Sequence, residues 1–125
     1  MEKERIFFYD TYAFFEIFKG NKNYLDYISD IGIVTTKLNI MELYYGLFVE
    51  FGINVAEFYY SKYRVFCADA SDNIIKAAMQ FKAQYKKRNL SYIDCLGYAF
   101  ANEMKIKFLT GDKEFKDMPN VEFVK

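Results

Sequence analysis

Four apolar or aromatic residues, Ile6, Phe7, Phe8 and Tyr9, stand in a row near the start of the chain and end abruptly at the carboxylate of Asp10. A run this short, with side chains this prone to form β-structure, indicates a strand that is buried on both faces of a parallel sheet. Ligands of open parallel sheets bind outside the carboxyl ends of the strands. The pattern therefore predicts a sheet with Asp10 at its ligand-binding edge.

Strand and helix patterns alternate along the rest of the chain. Strand patterns cover four further runs, over 31–35, 64–68, 106–110 and 121–124. Helical patterns cover 12–18, 23–29, 40–47, 55–63, 71–85 and 91–100, and within 23–29 we expect Leu25 and Ile28 to face inward. This alternation predicts an α/β fold, a three-layer sandwich with a mainly parallel central sheet of four to five strands. A length of 125 residues suits a single domain over residues 1–125.

Composition narrows the chemistry that the chain can perform. The sequence has no His, which removes the commonest general base and most zinc sites. Cys67 and Cys95 are far apart and no signal-peptide pattern is present, so we expect reduced thiols in a cytoplasmic protein that does not enter the membrane. Lys+Arg and Asp+Glu both number 17, so a polyanion would have to be held by a local patch or through metal ions.

Carboxylates from four distant segments are expected to meet at one edge of the sheet. Asp10 ends the first strand, and Asp112 follows the strand over 106–110. Glu42 and Asp94 stand early in helices that follow strands or turns at the same edge. Crowded carboxylates raise one another's pKa, and a shared Mg²⁺ or Mn²⁺ ion would remove that conflict. Such ions support the hydrolysis of phosphate esters without any His.

Two of these acids also have purely structural explanations when taken singly. Asp94 fits the last position of a capping box, and Glu42 could serve Asn39 in the same way. A purely structural role is harder to assign to Asp10 and Asp112, because a carboxylate that ends a buried strand costs free energy unless it is solvated or paired.

Four stretches of the sequence also form a recognisable series. They are Phe8-Tyr9-Asp10-Thr11, Asn39-Ile40-Met41-Glu42-Leu43-Tyr44-Tyr45-Gly46, Ser91-Tyr92-Ile93-Asp94-Cys95-Leu96 and Leu109-Thr110-Gly111-Asp112-Lys113-Glu114-Phe115. In this order and spacing they resemble the PIN-domain ribonucleases, in particular the VapC-like toxins of type II toxin–antitoxin pairs. The resemblance covers nearly the whole chain.

The resemblance implies a site for one or two Mg²⁺ or Mn²⁺ ions built from four carboxylates: Asp10, Glu42, Asp94 and Asp112. It implies that a metal-activated water hydrolyses RNA phosphodiester bonds. Thr110 would support the site without binding the ion directly, and Glu114 is a weaker candidate for an outer ligand. The family often has Asn or Ser two places after the first Asp, where this chain has Tyr12.

Aromatic residues between Tyr44 and Tyr63 are too numerous to face one side of two helices, so part of them is predicted to be exposed. An exposed apolar strip suits a homodimer face or a groove for a partner helix. The family resemblance points to the same partners, a second copy of the toxin and an antitoxin protein.

The sequence is also compatible with two other functions. Gly111-Asp112 with Asp117 is similar to a metal-binding motif of haloacid-dehalogenase phosphatases, with Asp10 as the nucleophile, although Tyr12 stands where that family needs a second Asp. The other is a catalytically inactive PIN-like module that only binds protein, although such a module would not need to keep all four acids.

Overall fold

The computed structural model of the protein describes residues 5–125, and residues 1–4 of the predicted domain lie outside the described residues. Its sheet has four strands: β1 (Arg5–Tyr9), β2 (Ile31–Val34), β3 (Lys107–Thr110) and β4 (Val121–Phe123). They are ordered β2-β1-β3-β4, and each neighbouring pair is parallel. Phe8 of β1 is paired with Val34 on one side and with Phe108 on the other. The carboxyl ends of β1 and β3 therefore lie side by side, which places Asp10 and the loop after Thr110 at one edge.

Helices cover both faces of this sheet. They are α1 (Thr11–Phe18), α2 (Lys37–Phe51), α3 (Ile53–Arg64), α4 (Asp72–Gln84) and α5 (Tyr92–Met104), with short 3₁₀ turns at Lys22–Tyr27 and Lys113–Phe115. In the described part of the chain, no helix combines the length and the apolar character that crossing a membrane requires.

Alternation along β1 explains why its last four residues, Ile6 to Tyr9, are all apolar or aromatic. Phe7 and Tyr9 belong to the core formed with α1, α2 and α3, whereas Phe8 belongs to the core formed with α4 and α5. Successive side chains of a strand point to opposite faces, so a strand between two helical layers needs apolar residues at every position. The predicted three-layer α/β sandwich is confirmed, with four strands that are all parallel.

The predicted strand over 64–68 is wrong. Helix α3 continues through Arg64, and the chain after it makes a single bridge between Thr35 and Cys67. In that bridge the Thr35 amide donates to the Phe66 carbonyl, and the Ala68 amide donates to the Thr35 carbonyl. The outer edge of β2 has no strand neighbour among the described residues, but the residues before Cys67 belong to α3 and the turn after it, and Thr36 is the N-cap of α2. The pairing therefore cannot extend beyond Thr35.

The segment 23–29 turns its aromatic residues inward, not its aliphatic ones as predicted. Leu25 and Ile28 are exposed, whereas Tyr24 and Tyr27 are buried. The Tyr24 hydroxyl donates to the Val124 carbonyl at 2.6 Å, and Tyr27 donates to a carboxylate oxygen on β4. A 3₁₀ turn repeats every three residues, so burying this hydrogen-bonding pair leaves the aliphatic residues in solvent.

The predicted exposed aromatic remainder is present on α2 and α3. Four aromatic side chains of these helices are exposed: Tyr45, Phe48, Phe51 and Phe58. The buried side of α2 is formed by Ile40, Leu43 and Leu47, which pack against the sheet core.

Candidate functional site

A pocket of about 580 Å³ opens at the carboxyl edge of the sheet. All four acids that the sequence singles out line it: Asp10, Glu42, Asp94 and Asp112. They come from the end of β1, from α2, from the first turn of α5 and from the loop after β3. The fold thus brings together carboxylates that are up to about a hundred residues apart in the sequence.

Asp10 is the most deeply placed of these acids, with 3% of its surface exposed. It caps α1, because its Oδ1 accepts a hydrogen bond from the Thr11 amide at 2.9 Å. Its Oδ2 accepts from the Thr110 hydroxyl at 2.7 Å. Both carboxylate oxygens are therefore held in place, and the carboxylate cannot rotate freely.

The Thr110 hydroxyl also connects Asp10 to Asp112. Its oxygen accepts a hydrogen bond from the Asp112 amide at 3.1 Å. Asp112 in turn caps the following 3₁₀ turn, through a bond from the Glu114 amide to its Oδ1 at 3.0 Å. One buried hydroxyl thus fixes the relative positions of the acids that follow the two central strands.

Asp94 is both a helix cap and a pocket residue. The Ser91 amide donates to Asp94 Oδ2 at 2.9 Å, and the Asp94 amide donates to the Ser91 hydroxyl at 3.0 Å, which is a complete capping box. The cap interpretation of Glu42 is wrong, because α2 is capped by Thr36 and Glu42 lies beyond the first turn. Glu42 is half-buried in the pocket wall.

The electrostatics of the pocket are unfavourable for so many negative charges. Burial, followed by the charge of Asp94, raises the pKa of Asp10 to about 8, although the hydrogen bonds from Thr110 and Thr11 oppose this. The pKa of Asp94 is also raised, first by burial and then by the charges of Asp112 and Glu42. A cation among these groups would stabilise their ionised forms.

The donor set suits one kind of metal ion. Carboxylates with a neighbouring hydroxyl, and with neither His nor Cys in the pocket lining, match hard ions such as Mg²⁺ or Mn²⁺. Within residues 5–125 no three potential ligands are already gathered closely enough to form a metal site. Asp94 and Asp112 each use only one carboxylate oxygen in the capping bonds described above, so rotation of these side chains could bring free oxygens inward.

Asn39 is a residue that the sequence interpretation missed as part of this region. It is fully buried, its Nδ2 donates to the Thr11 hydroxyl at 3.1 Å, and its Oδ1 accepts from the Thr36 hydroxyl at 2.7 Å. These bonds join the start of α2 to the residue next to Asp10. The sequence feature that could have indicated this role is its position four residues before Leu43, on the apolar side of the helix. An amide buried there needs polar partners.

Comparison with known proteins gives a consistent result. The sequence matches the PIN domain family over residues 7–121. A chain of a toxin–antitoxin complex from Klebsiella pneumoniae is similar in structure, with a TM-score of 0.72 and 18% identity over 92% of this chain and 94% of that chain. The sarcin-ricin loop cleaving toxin VapC20 of Mycobacterium tuberculosis is similar with a TM-score of 0.78 and 16% identity, over 96% of this chain and 99% of that one. Among curated proteins, none matches the sequence. At these identities the two structures establish a shared fold.

Proposed function

The chain belongs to the PIN domain family, and from this premise we propose that it is a divalent-metal-dependent endoribonuclease, the toxin of a toxin–antitoxin pair. The observation that carries the proposal is the meeting of Asp10, Glu42, Asp94 and Asp112 in one pocket at the carboxyl edge of the sheet. The similar structures from two bacteria support the toxin part of the proposal, since both are described as toxin proteins or complexes. Family membership removes the haloacid-dehalogenase alternative.

In this proposal the four carboxylates hold Mg²⁺ or Mn²⁺, and Thr110 fixes the orientation of Asp10. When bound, such an ion lowers the pKa of water and offsets the charge of a phosphodiester group. Asp10 is buried and bonded at both oxygens, so it would present its carboxylate to the ion with little loss of conformational freedom. The Asp94 and Asp112 side chains are less buried and would adjust to the ion.

We further propose an antitoxin protein and a second copy of the chain as partners in the cytoplasm. The exposed aromatic residues that lie outside the pocket, Phe48, Phe51 and Phe58, support a protein-binding face on α2 and α3, because exposed apolar side chains favour contact with other proteins. This face would also serve the remaining alternative, an inactive binding module.

The direct test is cleavage of a pool of labelled RNAs in Mg²⁺ or Mn²⁺, followed by addition of EDTA. We expect cleavage that EDTA stops, since the carboxylates alone cannot offset the charge of the phosphate. An Asp10→Asn variant purified in the same way shows whether a contaminating nuclease is responsible. If the wild-type protein cuts no RNA in either metal, the binding module becomes the better explanation.

The effect of pH on stability follows from the raised pKa of Asp10. In the metal-free native protein Asp10 keeps its proton up to about pH 8, whereas in the unfolded chain it loses it near its ordinary value of 3.8. Between these values the native state binds one more proton, so stability should fall as the pH rises. Metal ions compete with this proton, and the rise in Tm caused by millimolar Mn²⁺ should therefore grow toward about pH 8.

Differential scanning fluorimetry in EDTA and in Mn²⁺, at several pH values, measures both effects. Asp10→Asn is the control, because its amide does not titrate and is a poorer ligand, so both effects should be much reduced. A metal-induced shift of the same size at every pH, or in this variant, would contradict the role of Asp10.

A further inference from the structure

One wall of the acidic pocket is aromatic. Tyr12, Phe15 and Tyr45 line it together with the carboxylates. Tyr45 follows Glu42 by three residues on α2, so the two side chains are neighbours on the same side of the helix. With 71% of its surface exposed, Tyr45 has its ring largely free for contact with a ligand.

The local packing makes room for this wall. A Cβ atom placed on Gly46 would lie 2.4 Å from Cζ of Phe15, so any side chain at this position would displace the Phe15 ring. The ring therefore lies against the bare backbone of α2, next to Tyr45. The sequence Tyr45-Gly46 thus supplies an exposed ring and, beside it, space for the ring of Phe15 in the same wall of the pocket.

The pocket lacks the groups that usually attract nucleic acid. Among the described residues that line it, none is Lys or Arg. Proteins that bind nucleic acid draw much of their affinity from such cations on phosphates, and the net charge of this chain is zero. Stacking of bases on aromatic rings is the other main source of affinity for single strands, and it does not depend on charge.

We propose that Tyr45 binds the substrate by stacking on the base of a nucleotide next to the phosphate held at the acids. The inference rests on the proposed function, because it takes the acids as the place of the phosphate. Tyr45 lies about one helical turn from Glu42, roughly 5 Å along the axis, which a base attached to the neighbouring sugar can span. A base inside a duplex has both faces covered by its neighbours and could not lie on this ring.

The test compares cleavage of a single-stranded RNA in Mg²⁺ by the wild type and three variants. Tyr45→Ala should raise KM on the order of ten- to a hundredfold with a smaller change in kcat, because it removes a stacking contact. Tyr45→Phe should behave like the wild type, since stacking does not use the hydroxyl. Leu25→Ala is the control, because this apolar side chain is 59% exposed and lies outside both the pocket lining and helices α2 and α3, and it should have no effect.

A series of RNAs with one abasic position each locates the contact. At one position beside the cut, loss of the base should raise the KM of the wild type about as much as Tyr45→Ala does. The same abasic RNA should not raise the KM of the Tyr45→Ala variant any further. The proposal would be overturned if Tyr45→Ala had the KM of the wild type, or if Leu25→Ala raised KM as much as Tyr45→Ala does.

Binding measured by fluorescence anisotropy separates this proposal from the proposed function. The variants are placed in an Asp94→Asn background, so that the RNA stays intact. If the wild-type protein cuts no RNA while Tyr45→Ala still weakens binding, the stacking contact stands and the nuclease function falls. If RNA is cut and Tyr45→Ala binds it as tightly as its parent, the stacking contact falls alone. If the wild type cuts no RNA and none of these proteins binds it, both proposals fall.

Discussion

Asp94→Asn is expected to lower RNA cleavage on the order of a hundredfold or more while leaving the fold nearly as stable as before. An Asn side chain keeps an acceptor oxygen for the Ser91 amide, so the capping box at the start of α5 can persist. It removes the negative charge that we propose holds the metal ion. The measurement is kcat/KM for a labelled RNA in Mg²⁺, together with Tm by differential scanning fluorimetry.

This substitution separates the two explanations of Asp94. If the residue were only a helix cap, the variant would cut RNA like the wild type, because the cap survives. Asp117→Asn is a suitable control, since it removes the same charge from an exposed residue that does not line the pocket. Loss of activity in this control as well would show that overall charge, and not the pocket, is responsible.

The sequence predicted the fold well because its strongest patterns are those that burial imposes. The apolar run before Asp10 needs two helical layers around it, and helix caps such as Ser71 and Ser91 mark where helices begin. The strand expected over 64–68 failed for a tertiary reason. Its residues are compatible with a strand, but α3 runs through Arg64 and a turn follows it, so only Cys67 remains to pair, with Thr35 just past the end of β2.

The gathering of the four acids in one pocket could also be predicted, because strand order and direction decide which residues share an edge. Asp10 and Asp112 follow neighbouring parallel strands, so their proximity follows from topology alone. The hydrogen bonds that orient them could not be derived in this way. The link from Thr110 to both acids, and the bonds of Asn39 to Thr11 and Thr36, depend on side-chain rotamers and on distances across the fold.

Gly111, which connects Thr110 to Asp112, has no room for a side chain. A Cβ atom there would lie 2.3 Å from the carbonyl oxygen of Val124 and 2.4 Å from Cε1 of Tyr12. The Val124 carbonyl also accepts the Tyr24 hydroxyl, and the Val124 amide donates to the Thr110 carbonyl at 2.9 Å. The backbone at Val124 is thus held from two sides and cannot easily move away from Gly111.

Gly111→Ala is therefore expected to destabilise the protein by about 1–3 kcal/mol, as for other overpacked sites, and to lower Tm by several degrees. The added methyl group meets backbone that is held in place, so the loop that carries Asp112 should move to relieve the steric clash. RNA cleavage should therefore fall by more than the loss of folded protein explains. Urea unfolding gives the first quantity, and kcat/KM at a temperature where both proteins are fully folded gives the second. Adding Tyr12→Ser, which removes the ring but leaves the Val124 carbonyl, should restore only part of the stability. Full recovery would show that the ring of Tyr12, and not the backbone at Val124, limits the space at Gly111.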